Sequence, residues 1–297
     1  GRTHALGRIF DIISGLFGKS NPTYLCGAGF SSSPHFMYSG YDDGGKWFLL
    51  FQIGFGGVPA RPAGDGLDGY SLWPKFTNVP NEYLESYFPV RIETYESIPD
   101  SGGAGRLRGG NAMRIGYRFL AEGRISIHDD RWLTYPWGVK GGNPGRRCQK
   151  IIERTDGTRE ILANKIDNIH VEIGDYLIFE TWGGGGLGNP LERAIDAIEY
   201  DLESGLLTAE GAKLFGAVVN EDGTTVDREA TEMLRGNMAK SATPAELFNF
   251  GGSVDELVAR CEAETGLPPP TPPTFAPTFE ALEKAPAKIH TPAVEVK

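Results

Sequence analysis

The sequence predicts an α+β protein: a β-rich body, introduced by an amphipathic N-terminal helix and followed by a helical C-terminal appendix. Three observations carry this. Between Tyr24 and about Glu180, short apolar runs alternate with clusters of Gly, Pro, Asp and Asn, which is the texture of strands joined by turns. On either side of that stretch the apolar residues fall at helical spacing instead. The 41 glycines and 20 prolines among 297 residues are too many turn formers for a helical bundle.

Taken in order, Leu6, Ile9, Phe10, Ile13 and Phe17 predict a helix over 5–17, ended by Gly18. Strands are expected at Trp47–Phe55, Val90–Tyr95, Met113–Phe119, Ile125–His128 and Tyr176–Phe179. A hairpin is expected over Glu153–Leu162, turning at Asp156-Gly157. After Trp182, Leu191, Ile195, Ile198 and Leu202 line one helical face, with Asn189 as N-cap and Pro190 at N1. Short helices follow in "LTAEGAKLFG" and "TVDREATEMLRGNM", with a turn at "NEDGTTV" between them. Ser253 and Glu256 form a capping box for a last helix. From Leu267 the chain reads as polyproline, with Phe275 and Phe279 as spaced anchors suited to gripping a neighbouring subunit. The expected division is a β-rich body over 1–190, a helical appendix over 191–266 and a Pro-rich tail over 267–297.

Bulk properties narrow the function. A net charge of −10 argues against nucleic acid, which needs a concentrated positive surface. Cys26, Cys148 and Cys261 are scattered, with no C-x-x-C, which suits a reducing cytoplasm and gives no zinc signature. The apolar run from Trp47 to Val58 is too short and too broken to span a bilayer. "GRTHALGRIF" lacks the apolar core of a signal peptide, and its start within a helical pattern suggests a fragment or a processed subunit.

Two glycine clusters and one polar corner carry the candidate chemistry. Gly183, Gly185 and Gly188 satisfy G-x-G-x-x-G, but the second strand and ribose-reading acid of a dinucleotide fold are missing, and no Lys-Ser/Thr follows as in a phosphate loop. A corner where backbones approach too closely for Cβ atoms is the favoured alternative. In "PDSGGAGRLRGGNAMRIGYRF", Arg106, Arg108 and Arg114 beside flexible backbone are either an anion cradle or partners of nearby acids such as Asp100, the latter favoured. At the end of a strand, His128, Asp129, Asp130 and Arg131 are candidates for acid–base or metal chemistry. His128 and Asp129 point to opposite faces while the strand lasts, so a hydrogen-bonded corner beside Trp132 and Trp137 is favoured over a metal site. His35 behind three serines lacks the G-x-S-x-G elbow of a nucleophile, and Cys148 has only adjacent arginines to activate it.

The stretch Gly54–Gly110 is distinctive as a whole. Pro59-Ala60-Arg61-Pro62 with Gly64-Asp65-Gly66, the run Asn78–Tyr95, Asp100–Gly110, the glycines of Gly183–Pro190 and "AETGLPPP" together resemble the hydantoinase B/oxoprolinase family over most of residues 50–270. The resemblance implies a B-type subunit, or part of one, in the ATP-dependent opening of a cyclic amide such as N-methylhydantoin or 5-oxoproline. The alternatives are a subunit of an acetone- or acetophenone-type carboxylase, or a non-catalytic scaffold in such a complex. It further implies an A-type, actin-like ATPase partner that holds ATP and Mg, so this chain is expected to bind neither. A divalent metal is implied for the family's N-terminal portion, with no ligand carried onto a matched position and no metal expected in this chain. Within the matched motifs, Arg61, Asp65, Arg106 and Arg108 are the candidates for substrate or anion binding.

Overall fold

The structure is a computed structural model and describes residues 2–30, 34–70, 77–240 and 244–270. Ser31–Ser33 and the tail anchors Phe275 and Phe279 lie outside the described residues. The elements run α1 (Arg2–Ser20), β1 (His35–Tyr41), β2 (Trp47–Ile53), α2 (Asn81–Tyr87), β3 (Val90–Ser97), β4 (Met113–Phe119), β5 (Gly123–His128), β6 (Gly138–Val139), β7 (Gln149–Glu153), β8 (Arg159–Leu162), β9 (Lys165–Val171), β10 (Tyr176–Glu180), α3 (Ile195–Glu203), α4 (Ala209–Ala212), α5 (Arg228–Lys240), β11 (Phe248–Asn249) and α6 (Val254–Thr265).

The β-rich body is a sandwich of two antiparallel sheets, ordered β2-β1-β5-β9 and β3-β4-β10-β7-β8. Alternating side chains fill the space between them: Phe36, Tyr38, Phe48 and Leu50 from one sheet face Ile115, Tyr117, Phe119 and Phe179 from the other. Aromatic pairs bridge the layers, Phe36 to Tyr117 with centroids 4.8 Å apart and Tyr38 to Phe119 at 4.7 Å. Tyr38 keeps its hydroxyl inside by donating to Ala121 O at 2.7 Å. The predicted hairpin is β7–β8, with Gly157 at φ 87° in its turn. In β9 the register shifts opposite Ser126, with Asn168 at φ 64°, so Ile166 and Ile169 both face the core.

Against one end of the sandwich lies a scaffold of packed backbone. The run Gly183–Gly186 is not a turn, as the sequence suggested, but continues from β10 without bending. Its four successive N–H groups donate to Arg146 O, Gly110 O, Ala28 O and Asn143 O, so it is surrounded on several sides by other segments. These glycines do not have positive φ. They are required by proximity: a Cβ on Gly183 would sit 1.9 Å from Ser101 O, and one on Gly185 1.9 Å from Trp137 O.

Helix α1 runs past Gly18, which does not end it. Gly18 instead packs where a Cβ would meet Leu25 Cδ1 at 2.4 Å. The helix is amphipathic in reverse. Its buried side is His4, Gly7, Asp11, Gly15 and Gly18, while Ile9, Phe10, Ile12, Ile13, Leu16 and Phe17 are exposed. Small residues let the helix backbone approach closely, and the large apolar ones are left outward.

In the appendix, Asn189 and Pro190 cap a 3-10 turn over Pro190–Glu192 rather than α3, which starts at Ile195. Ile198, Leu202, Leu207, Phe215 and Val226 form its own core with Ala104. The capping box on α6 is present as read, and β11 pairs with β6 to tie the end of the chain to the scaffold. The whole is α+β, as the sequence predicts.

Candidate functional site

A dense cluster of polar side chains lies at the corner after β5. The strand ends at His128, and the chain turns through Asp129 to Arg131, which sits at φ 58°. His128 and Asp129 diverge as strand geometry requires. The His128 imidazole points outward to Asp167 Oδ1 at 3.0 Å, with its ring 5.2 Å from that of His35. Asp129 points inward, has no exposure, and pairs with Lys150, whose Nζ also donates to Glu180 O at 2.7 Å and lies 4.1 Å from the Phe179 ring centre. Burial pushes the Asp129 carboxyl up to about 6, against the pull of the Lys150 ammonium.

Asp130 and Arg131 receive α1. Arg8 Nε lies 3.1 Å from Asp130 Oδ2, and Arg131 donates to Asp11 Oδ2 at 2.7 Å and to Tyr135 O at 3.0 Å. Burial pulls Arg131 down to about 10 and raises Asp11. One turn earlier, burial lowers the His4 imidazole to about 4, so it is neutral near pH 7. Neither of its ring nitrogens has a hydrogen-bond partner among the described residues.

Beside this corner is a cavity of about 560 Å³, within the range of small-molecule sites. Residues 129–134 form one wall, 163–165 a second, and Leu267, Pro268 and Pro270 close it. Cys148 lies beneath, its thiol donating to Asp130 O at 2.9 Å and its sulfur accepting from Asn164 Nδ2 at 2.7 Å. The adjacent arginines do not activate it. Arg147 turns to Trp132 O and Glu264, and burial lifts the thiol to about 12, which keeps it protonated.

The anion-binding candidates occupy another region, where the scaffold meets the appendix. Arg108 forks onto Asp68 at 2.8 and 3.1 Å and reaches Asp201 at 3.0 Å. Asp65 accepts from Arg193 at 2.9 and 2.8 Å and from Arg108 N at 2.8 Å, and Arg193 also reaches Asp201 at 2.7 Å. Burial opposes ionisation of Asp65, but the Arg193 hydrogen bonds and charge hold its carboxyl below the usual range. Arg61 donates to Asp65 O at 2.9 Å, and Arg106 is exposed beside Gly188. Arg108 and Asp65 therefore serve as ties within the protein. The N–H groups of Gly103, Gly109 and Gly110 donate to backbone carbonyls, as do those of Gly183–Gly186, which leaves them no donor to aim at a phosphate.

Among the described residues no group of three or more His, Cys, Asp or Glu is placed to hold a metal ion. The donors at the corner do not fit one: His128 is engaged by Asp167 and Asp129 by Lys150. The sequence reading missed Lys150, Arg8, Asp11 and Arg193. Lys150 shares a strand face with the buried Ile152, and Asp11 lies on the opposite face of α1 from its apolar residues; each was a visible sign of an inward charge.

An antiparallel sandwich braced by a glycine-packed scaffold defines the class, and the chain belongs to the hydantoinase B/oxoprolinase family, whose model matches residues 1–190. It is similar to the B-type subunit of a putative D-/L-hydantoinase of Pseudomonas sp. (strain NS671), 32% identical over 201 residues that make up 67% of this chain and 34% of that one. The acetophenone carboxylase delta subunit of Aromatoleum aromaticum is 26% identical over 221 residues, 63% of this chain and 32% of that protein. The crystal structure of the ATP-dependent caprolactamase from Pseudomonas jessenii shares the fold, with a TM-score of 0.61 at 22% identity over 74% of this chain and 40% of that one. The match covers only part of the length of the curated relatives, from 8% to 34% of each. No helix among the described residues is long and apolar enough to cross a membrane.

Proposed function

We propose that this chain is one part of an ATP-dependent cyclic-amide hydrolase, acting on a ring of the N-methylhydantoin or 5-oxoproline type together with an A-type ATPase subunit. The observation that carries the reading is the similarity to a hydantoinase B-type subunit over two thirds of the chain. In this scheme the partner holds ATP and its Mg and transfers a phosphoryl group to the amide oxygen. That transfer turns the oxygen of an unstrained amide into a leaving group and makes the ring a workable electrophile. This chain supplies the rigid body against which the site is shaped. Three unpaired cysteines suit a reducing, cytoplasmic setting.

A second reading, a subunit of an ATP-dependent ketone carboxylase, is favoured by the match to the acetophenone carboxylase delta subunit. One assay separates the two. The complex containing this chain is incubated with ATP and either N-methylhydantoin, 5-oxoproline and caprolactam, or acetone and acetophenone with bicarbonate. Ring-opened acid formed in step with phosphate release is the expected result. A carboxylated ketone in its place would establish the second reading.

A further inference from the structure

The cavity beside the corner after β5 has a lining that the reaction scheme above does not use. Its apolar part is Trp132, Leu133, Ala163, Leu267, Pro268 and Pro270, a nonpolar enclosure of the kind that receives the body of a small organic molecule. Wall and roof are fixed to each other through one residue. Arg147 donates to Trp132 O at 3.1 Å and pairs with Glu264 on α6. Leu267 follows three residues later, its N–H donating to Thr265 Oγ1 at 3.2 Å. A cavity set in this way costs a ligand little ordering.

The charges of the lining cancel in pairs, with one exception. Asp129 is met by Lys150, Asp130 by Arg8 and Arg131 by Asp11. Lys165 also lines the cavity, is exposed, and forms no ion pair among the described residues. Asp167, two residues along β9, is turned to His128 instead. On the same lining, Trp132 has a buried Nε1–H without a partner among the described residues, and Asn164, 4% exposed, a buried Oδ1 in the same condition. Buried polar atoms left unpaired cost free energy, so a ligand that meets them is favoured.

We propose that this cavity binds a small organic acid, with an apolar body against Trp132 and the prolines and its carboxylate on the Lys165 ammonium. A positive charge without a protein carboxylate, set beside nonpolar walls, selects an anion over a neutral molecule of the same shape through a charge-assisted hydrogen bond. A cation would meet Lys165 with like charge, and a second negative charge on the ligand would lie unpaired against the nonpolar walls. Trp132 Nε1–H is a further donor for the acid, and Asn164 Oδ1 an acceptor for any N–H or O–H on its body. The proposal uses neither the ATPase partner nor the reaction, so it is tested apart from both.

The test is an NMR titration of the full chain, with isotope-labelled tryptophan and phenylbutyrate as the probe. Of the five indole N–H resonances, the one assigned by Trp132→Phe should shift and saturate, with a Kd on the order of 1 mM or tighter. Phenylbutyramide, which has the same shape without the charge, should bind at least about tenfold more weakly, the worth of a hydrogen bond to a charged group. Lys165→Met should bring the acid down to the level of the amide and leave the amide itself unchanged, and Lys165→Arg should restore the acid. An unshifted Trp132 resonance at ten times that concentration, equal binding of acid and amide, or wild-type affinity for the acid in Lys165→Met would each overturn the proposal. So would saturable binding of neutral caprolactam in preference to the acid, which would make the cavity a pocket for the cyclic amide itself.

Discussion

His4 is an imidazole held without its proton. Its lowered pKa has a definite consequence for stability. As pH falls from about 6.5 toward 4, the unfolded chain takes up a proton that the folded chain refuses, so this contribution is whole above pH 6.5 and is lost below it. After allowance for solvent screening the loss is on the order of 2 kcal/mol. Replacing His4 by Phe should flatten the wild-type fall between pH 6.5 and 4 in denaturant melts. Asp129, with its raised pKa, acts in the opposite sense between about pH 4 and 6, but it is common to both proteins and cancels in the difference. A variant as acid-sensitive as the wild type would mean that His4 is solvated. Lys150→Met should cost about 3–5 kcal/mol, because it strands a buried carboxylate, and adding Asp129→Leu should recover most of that. Equal melting temperatures for the single and double variants would show that the pair is not coupled. Such roles were partly legible. The divergence of His128 and Asp129 followed from strand alternation, whereas the partner of Asp129 is 21 residues away and no local pattern announces it.

Among the elements, strands were the most legible, since alternation against a core is a local signal: β4 has the predicted bounds, and the β7–β8 hairpin turns at the predicted pair. The glycine run was legible as a close approach and misread as a turn, because the carbonyls that crowd it come from segments distant in sequence. Gly185→Val should therefore destabilise by about 3 kcal/mol or more through overlap with the Trp137 carbonyl. Gly223→Asn, at φ 76° in an open turn with nothing within 4 Å, should cost under about 1 kcal/mol. Chemical denaturation of both variants checks this. Similar losses would mean that backbone conformation, and not crowding, selects the glycines. Helix α1 shows the limit of periodicity: the spacing located the apolar face correctly but carried no information on which face meets the body.

At the scale of the whole molecule, the appendix is fastened to the scaffold by charge as much as by its small core. Arg193 and Asp201 are almost fully buried, and with Arg108, Asp65 and Asp68 they join α3 to two glycine loops. Arg193→Ala should cost about 3–5 kcal/mol, since the carboxylates keep their burial and lose a partner. The appendix should then release first, seen as protease cleavage near residues 190–195 before the sandwich melts. Simultaneous unfolding of both parts would show them to be one cooperative unit.

The convergence of distant segments on Gly183–Gly186 also sets an order of events in time. Adjacent amides there bond to residues 28, 110, 143 and 146, so the scaffold closes only after nearly all of the first 186 residues have been made and brought together. Loops of that span are slow to close, and their contacts reward closure only at the end. In pulse-labelled refolding, the amides of β4, β7 and β10 should gain protection before those of the glycine run, which makes that run the last part of the body to lock.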